Sequence, residues 1–470
     1  MGGGQSDGET TAEVLRSEVN RAVTDMLDQP VQGRARRAVF GLDRLALEHQ
    51  QLFDFGTLRD YRLRVVKTMV GGLAGLLAHR GITVFRANAA FHADETAPAT
   101  SNHIVHLVPS PDQSDILTYH KADVPEPSGP TMDLTATNIV IATGAKPRPL
   151  PGNPFAGALI DSTQALEVNE FPSSAVIIGA GAIALEFASM WNAAGSKVTL
   201  LIRKDRVLSA WDRRAGTTLT RELKRHGVNI ITRASVTHVD TGANLGATVH
   251  YTREGQDGEQ SVWGEIALVA IGRDPITDPA WGVTIDDHGH VATDAYGRTD
   301  KPGVWAVGDV TAGHALAHRA FEQGIVIAET IAGLNPKPVD EATVPQIVFS
   351  FPEAASVGLT VEQAQAREDL IEIKETNYPM LANARMLMSG TAGSLTIVSG
   401  CDAANPDTPR VLGVHMVSQM ASDIIAEAEQ LVGNHVPLAD AARLVHPHPT
   451  FSETLGEALL KADGRPLHTR

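Results

Sequence analysis

A glycine-containing turn near the middle of the chain has the residue types that hold a phosphate. The letters GAGAIA at 179–184 follow a short apolar run and lead into a helical pattern. Gly179 permits a tight turn, Gly181 lets the backbone approach a pyrophosphate, and the small Ala184 lets the helix pack on the strand. Free amides at the helix start attract phosphate oxygens. With a second apolar run at 198–202, this pattern favours nucleotide binding over a purely structural turn.

The end of that second run bears on which nucleotide is bound. NAD-binding units usually place Asp or Glu here, to accept a hydrogen bond from the ribose 2′-hydroxyl. This chain has Arg203 and Lys204, which can pair with a 2′-phosphate. The same pair also suits a solvated basic turn, and Asp205 follows directly. We therefore expect NAD or NADP, with the two cations favouring NADP.

The cysteine content limits thiol chemistry. Cys401 is the only cysteine among 470 residues. An intrachain disulfide of any kind is therefore excluded, and so is a redox-active pair of thiols within one chain.

Composition and charge indicate a multidomain globular protein with full hydrophobic cores. Hydrophobic residues make up 43% of the chain and charged residues 20%, and the net charge is -16. The negative charge argues against a nucleic-acid groove but not against nucleotides. No run reaches the roughly 20 apolar residues of a membrane span, and the start of the chain has no apolar signal core. We expect a cytoplasmic protein.

The pattern of apolar residues predicts the elements that must position these groups. Spacings of three and four predict an amphipathic helix over 58–77 that ends near Gly81. Prolines and charges predict an exposed loop over 109–130. Strand and helix patterns alternate over 175–275, which predicts a parallel sheet with crossover helices. From Val344 onward, strands and helices are mixed.

Six segments, in order along the chain, resemble the pyridine nucleotide–disulfide oxidoreductases. They are IVIATG at 139–144, AIGRDP at 270–275, VWAVGD at 304–309, ALAH at 315–318, VPQIVF at 344–349 and HPHPTFSE at 446–453. The last closely resembles the catalytic signature of the lipoamide dehydrogenases. The resemblance extends over 54–470.

The resemblance implies an α/β flavoprotein fold with two dinucleotide-binding domains and a C-terminal α+β dimerisation domain. The implied divisions are an unassigned segment at 1–53, an incomplete FAD-binding domain at 54–149 and 276–340, a Rossmann-like NAD(P)-binding domain at 150–275 and an interface domain at 343–470. It also implies a homodimer and a small or lipoyl-type disulfide substrate.

The resemblance assigns the cofactor-binding residues one by one. Those implied for FAD are Thr143, Gly144, Asp309, Ala315, Leu316, Ala317 and His318. Those implied for NAD(P) are Gly179, Gly181, Ala184, Glu186, Arg203, Lys204, Gly272 and Arg273. In the family Asp309 would hold the ribityl chain, and 315–318 would lie under the flavin pyrimidine. Taken alone, Asp309 could equally be a helix cap.

The resemblance also implies the catalytic pair. His448 would accept and donate the proton, and Glu453, five residues later, would orient it. A histidine suits this task because its unperturbed pKa lies near neutrality. Taken alone, His448 could equally be a buried structural histidine. No residue is expected to bind a metal.

The sequence departs from the family pattern in ways that affect the chemistry. The glycine-rich turn for the ADP half of FAD is missing, since Gly2-Gly3-Gly4 has no strand before it. The Cys-x4-Cys pair is missing, and so is the adjacent Lys that partners Glu186. Three interpretations remain: a truncated or frame-disrupted lipoamide dehydrogenase, a non-thiol reductase of quinones or dyes, and a non-catalytic NAD(P)-binding dimeric remnant. The first is favoured, because a lost nucleotide turn removes flavin affinity as well.

Overall fold

The computed structural model of the protein describes residues 55–91, 103–119, 126–242 and 246–469. The segment predicted as unassigned, 1–53, lies outside these ranges. Within them, every helix is too short or too polar to cross a lipid bilayer.

The helices and strands are numbered here in chain order. The α-helices are α1 (Phe55–His79), α2 (Ser162–Leu166), α3 (Ala182–Ala193), α4 (Arg213–Arg225), α5 (Ala317–Ile331), α6 (Val361–Gln365), α7 (Ala384–Ser389), α8 (Ala421–Gly433), α9 (Leu438–Ala441) and α10 (Glu453–Ala462). The strands are β1 (Val84–Phe91), β2 (His103–Pro109), β3 (Leu117–Tyr119), β4 (Glu126–Pro127), β5 (Met132–Ala136), β6 (Ile139–Ile141), β7 (Ala145–Pro147), β8 (Leu159–Ile160), β9 (Ser174–Ile178), β10 (Lys197–Leu201), β11 (Asn229–Ile231), β12 (Ala234–Asp240), β13 (Ala247–Arg253), β14 (Gln260–Gly264), β15 (Ile266–Val269), β16 (Arg273–Pro275), β17 (Val304–Ala306), β18 (Gln346–Val348), β19 (Glu353–Gly358), β20 (Leu370–Pro379), β21 (Ser394–Asp402) and β22 (Asn405–Ser418).

The chain forms two compact units. The glycine-turn unit contains Phe171–Ala267 and Ile347–Arg470, and the companion unit contains Asp54–Glu170 and Leu268–Gln346. Most of the predicted nicotinamide and interface domains fall in the glycine-turn unit. Both predicted flavin segments lie in the companion unit.

A parallel sheet carries the glycine turn, as predicted. Strand β10 pairs in parallel with β9 on one side and with β11 on the other. Helix α3 crosses between β9 and β10 and buries its apolar face, including Leu185 and Trp191. Burial of β9 on both faces explains its unbroken apolar sequence.

The prediction that strands and helices alternate over 175–275 is wrong for the second half of that range, from β12 onward. Strands β12, β13 and β14 form an antiparallel three-stranded sheet. In β13 the buried residues Ala247, Val249 and Tyr251 alternate with more exposed ones. That alternation is typical of an antiparallel sheet with one solvated face.

The C-terminal part of the glycine-turn unit is built on a second antiparallel sheet. Strands β19, β22, β21 and β20 are adjacent in that order. Helices α8 and α10 contribute Ile425, Leu455 and Leu459 to the core on this sheet. Helix α4 also contacts β21, where Ser394 Oγ donates to Thr218 Oγ1 at 3.1 Å. Strand β21 is therefore buried almost throughout.

The companion unit contains helix α1 and a sheet in the order β4-β3-β1-β2-β5. Helix α1 ends as predicted, because Gly81 takes a left-handed φ of +68° and its amide donates to Ala78. The exposed loop predicted over 109–130 is partly wrong. Ile116 is fully buried there, and β3 pairs with β1.

Candidate functional site

The glycine turn is open to a ligand. Gly179 has φ +142°, and its amide donates to the carbonyl of Leu201 on the neighbouring strand at 3.1 Å. Gly181 is the N-cap of α3 and supplies no side-chain cap, so the first amides of the helix lack such a partner. A Cβ at Gly181 would meet nothing within 4 Å, and Ala184 is wholly buried against the strand. The turn therefore fits a pyrophosphate, which would fill this space.

The cations at the end of β10 are exposed. Arg203 and Lys204 both lie on the surface of the glycine-turn unit. Arg206, which the sequence analysis missed, is better fixed: it pairs with Asp205 at 3.3 Å and donates to the carbonyl of Ser209 at 3.0 Å. In the sequence, the acidic Asp205 directly before the basic Arg206 could have indicated that these two side chains form a pair. Because Arg206 pairs with Asp205, the local charge at this turn stays positive.

Glu186 lies on α3, one turn beyond the glycines. Its Oε1 accepts a hydrogen bond from the amide of Phe349 at 3.0 Å. Partial burial raises the pKa of Glu186, and the hydrogen bond from Phe349 opposes that rise. Glu186 thus has a backbone partner where the family has a lysine.

The companion unit holds the predicted residues Thr143 and Gly144 just after β6. Gly144 has φ +71°, and its carbonyl accepts from the amide of Ile276 at 2.9 Å. Thr143 Oγ1 donates to the carbonyl of Ile276 at 2.7 Å. Two segments far apart in sequence therefore meet at the end of the parallel pair β6–β17.

Gly272 and Arg273 belong to the companion unit, whereas the glycine turn does not. Gly272 has φ +129°, and Arg273 begins β16, which pairs with β7. The guanidinium of Arg273 donates to the carbonyl of Ala145. Arg273 therefore joins two strands of the companion unit, and binding of NAD(P) by these two residues stays a prediction.

Asp309 follows β17 on a short 3₁₀ turn, Gly308–Val310. Its carboxylate is half-buried and makes no hydrogen bond or ion pair with the residues that the structure describes. A half-buried carboxylate without a protein partner suits a ligand hydroxyl. Asp309 therefore fits the ribityl chain of FAD better than it fits a helix cap.

The stretch from Ala315 to His318 forms the start of α5. Leu316 is the N-cap and provides no side-chain cap, so the amides at this helix end also lack such a partner. Nε2 of His318 donates a hydrogen bond to the carbonyl of Pro345 at 2.8 Å. The neighbouring Arg319, missed by the sequence analysis, is buried and donates to Glu341 at 2.6 Å. Glu341 balances the charge of Arg319, so the positive end of the helix is the group that would stabilise negative charge on a reduced flavin.

His448 and Glu453 are brought together in the glycine-turn unit. His448 Nδ1 lies 3.0 Å from Glu453 Oε2, which also accepts from the amide of Thr450 at 3.2 Å. The imidazole is 76% exposed, so it is not the buried structural histidine considered above. A carboxylate on Nδ1 fixes that nitrogen as the donor and leaves Nε2 as a proton acceptor.

The adjacent His446 has a structural role instead. It is largely buried, and its Nε2 donates to Glu427 at 2.9 Å. This hydrogen bond raises the pKa of His446, and burial opposes the rise. Gly456 lies against its ring, since a Cβ there would come within 2.4 Å of Nδ1. His446 therefore anchors the segment that carries His448.

Cys401 lies far along β21, with no exposed surface. Burial raises the pKa of its thiol. A buried thiol with a raised pKa forms little thiolate and is inert.

Three features together define the class of protein. They are two separate turns that suit nucleotide phosphates or ribityl groups, a His–Glu pair, and a C-terminal layer of sheet and helices. This is the class of α/β oxidoreductases with two dinucleotide-binding domains. The sequence model of the pyridine nucleotide-disulphide oxidoreductases matches residues 21–324, and that of their dimerisation domain matches 344–459. The chain belongs to this family, and the match supports a homodimer.

Individual relatives of the chain support the same family assignment. A dihydrolipoyl dehydrogenase of Cupriavidus necator is 38% identical over 341 residues, 71% of this chain and 70% of that protein. One of Geobacillus stearothermophilus is 31% identical over 420 residues, 88% of this chain and 82% of that protein. Among solved structures, LpdA of Mycobacterium tuberculosis has a similar fold, with a TM-score of 0.74 at 23% identity, covering 93% of this chain and 90% of that one. The chain is therefore a FAD- and NAD(P)-dependent oxidoreductase similar to dihydrolipoyl dehydrogenase.

Proposed function

We propose that this chain is a dihydrolipoyl dehydrogenase-like oxidoreductase that lacks the thiol half-reaction. The observation that carries the proposal is Cys401, the single thiol, which is wholly buried in a strand of the C-terminal sheet. Exchange with a lipoyl disulfide requires an accessible thiolate and a second thiol to resolve the mixed disulfide. Cys401 provides neither.

The remaining residues fit the nicotinamide half of the chemistry. Bound FAD would accept a hydride from a reduced nicotinamide. The turn at Gly181 would hold the pyrophosphate of the nicotinamide cofactor, and Asp309 would orient the ribityl chain. The helix start at Leu316 would favour negative charge beside it. Of the proposed groups, only the pair His448–Glu453 has no task without a thiol, since its family role is to move a thiol proton.

Counting electrons tests the proposal. A flavin accepts two electrons, and a disulfide beside it would accept two more. Protein loaded with FAD is titrated with dithionite under anaerobic conditions while flavin absorbance and free thiols are measured. We expect two electrons per bound flavin, with the same value for Cys401→Ser. Four electrons per flavin, with two new thiols, would overturn the proposal.

The same protein preparation distinguishes the two alternative functions, a non-thiol reductase and a non-catalytic NAD(P)-binding remnant. Yellow protein that oxidises NADPH with a quinone is the non-thiol reductase. Colourless protein that binds NADPH but does not turn over is the remnant. The uncapped, open start of α5 beside the unpaired Asp309 favours the reductase, because both groups suit a retained flavin.

A further inference from the structure

The three-stranded sheet β12–β14 carries a cluster of two histidines and two carboxylates that the oxidoreductase chemistry does not use. We define the meander cluster as His238, Asp240, His250 and Glu259. Its two imidazoles are stacked, with centroids 4.1 Å apart and planes at 8°. We propose that the meander cluster binds a divalent transition-metal ion of the zinc type through His238, His250 and Asp240.

The fold places the three ligands on one face of the sheet. His238 and Asp240 are two residues apart on β12, so their side chains point the same way. His250 of β13 lies directly opposite His238. The register shifts at Thr237, and a bulge of this kind re-aims the neighbouring side chain. One ligand atom from each residue lies within 4.8 Å of the others.

The two carboxylates face different nitrogens of the imidazole rings, which gives them different roles. Asp240 Oδ2 lies 3.1 Å from Nε2 of His250 and 3.8 Å from Nε2 of His238. Glu259 faces the other nitrogens, at 3.6 Å from Nδ1 of His250 and 3.8 Å from Nδ1 of His238. Thr237 Oγ1 fixes Glu259 by donating to it at 2.6 Å. A carboxylate on the far nitrogen of each ligating histidine is the usual support of a metal site.

Proton counting shows that two neutral imidazoles leave this arrangement short of positive charge. Two neutral imidazoles have two N–H groups, but here four ring nitrogens face carboxylates. If both Nδ1 protons face Glu259, two Nε2 lone pairs lie side by side next to the Asp240 carboxylate, without a positive charge between them. A divalent ion supplies that charge. The other His–carboxylate pairs in the described part of the chain join one imidazole to one carboxylate.

The ligand set determines the kind of ion. Two imidazoles and one carboxylate suit Zn²⁺ and its neighbours, whereas Mg²⁺ and Ca²⁺ prefer oxygen alone. Tetrahedral zinc needs ligand atoms about 3.3 Å apart. The side chains of His238, His250 and Asp240 are 47%, 22% and 66% exposed, so they are free to close over this distance. A water would complete the fourth position, and the ion would link the edge strand β12 to β13.

Calorimetric titration of the untagged full chain with ZnCl₂ tests the proposal. We expect one ion per chain with micromolar affinity, and no binding of MgCl₂. His250→Ala and Asp240→Asn should each weaken this site at least tenfold, and Glu259→Gln should weaken it about tenfold through the orientation of the rings. Cobalt in place of zinc should give visible tetrahedral absorption bands in the parent protein and not in His250→Ala.

His290→Ala is the matched control, because His290 pairs with a single carboxylate, Asp286, at 3.3 Å. This variant should bind zinc as the parent does. Circular dichroism confirms that each variant is folded. Loss of affinity in the control equal to that in His250→Ala would overturn the proposal. So would zinc binding in the parent that is unchanged by His250→Ala and Asp240→Asn, or weaker than millimolar.

Discussion

At the scale of single residues, the chemistry of this chain depends on which groups have protein partners and which do not. Glu453 fixes Nδ1 of His448, so the exposed Nε2 is ready to accept a proton. The carboxylate of Asp309 has no partner in the described part of the chain, which suits a ligand. Cys401 is enclosed and inert. These environments are the basis of the proposal that the chain retains hydride chemistry and lacks disulfide exchange.

Nucleotide preference depends on Arg203. If Arg203 pairs with a 2′-phosphate, Arg203→Glu should weaken binding of NADPH more than binding of NADH, because only NADPH carries that group. Fluorescence titration with each nucleotide measures the two dissociation constants. Lys197→Glu, at an exposed position at the opposite end of β10, is the control for net charge. An equal loss for both nucleotides would identify Arg203 as a surface cation only.

The pair His446–Glu427 makes stability depend on pH. The pKa of His446 is raised in the folded protein, so the pair stabilises the fold fully below the ordinary histidine pKa of about 6.5. This contribution is lost as the pH rises through the raised pKa. Glu427→Gln should therefore cost about 1 kcal/mol at pH 5.5 and much less at pH 9. Denaturant unfolding at both values measures it, with Glu429→Gln on the same helix as control. An equal cost at both pH values would exclude the charged pair as the cause.

At the scale of elements, the strand, turn and helix around Gly179 were predictable because the local preferences of the residues there agree. Glycines at the turn, a small alanine at the contact and an apolar strand all point to the same structure. The strands β12–β14 were not predictable in the same way. Short runs such as 234–240 suit several pairings, and the partner strand decides between parallel and antiparallel. The meander cluster depends on that pairing, so the sequence alone did not reveal it.

The turn predicts a substitution that separates folding from binding. Gly181 has φ -90°, and a Cβ there meets no atom within 4 Å. Gly181→Ala should therefore leave the melting temperature almost unchanged. Its methyl group would occupy the space that a pyrophosphate needs, so affinity for NADPH and NADH should fall together. Gly324→Ala, in helix α5 with equally open surroundings, is the control. A variant that folds and binds normally would show that the turn does not approach the nucleotide.

At the scale of the whole molecule, the resemblance identified the family, and the comparisons confirmed the family, the fold class and the homodimer. The domain bounds stay a prediction. What the sequence could not supply was the environment of each group. The burial of Cys401 and the backbone partner of Glu186 both arise from contacts between distant segments. Spacing along the chain contains no information on such contacts.

The homodimer predicts the behaviour of one exposed side chain. Val445 lies in the matched dimerisation region, next to the His446–Glu453 segment, and is 95% exposed. Obligate interfaces are mostly apolar, so Val445→Asp should shift the protein toward monomer. Light scattering at micromolar concentration measures the shift. Leu166→Asp, at an exposed position outside that region, should leave the dimer intact. A parent protein that is monomeric under these conditions would contradict the prediction.

The most direct test of the proposal that the thiol half-reaction is missing is turnover of lipoamide. Purified protein with added FAD is assayed with NADH and with NADPH, beside the Geobacillus stearothermophilus dihydrolipoyl dehydrogenase as positive control. Because Cys401 is the single, buried thiol, we expect a rate equal to the background, unchanged by Cys401→Ser or His448→Ala. Rapid turnover that His448→Ala abolishes would contradict this and would require a dithiol supplied from outside the chain.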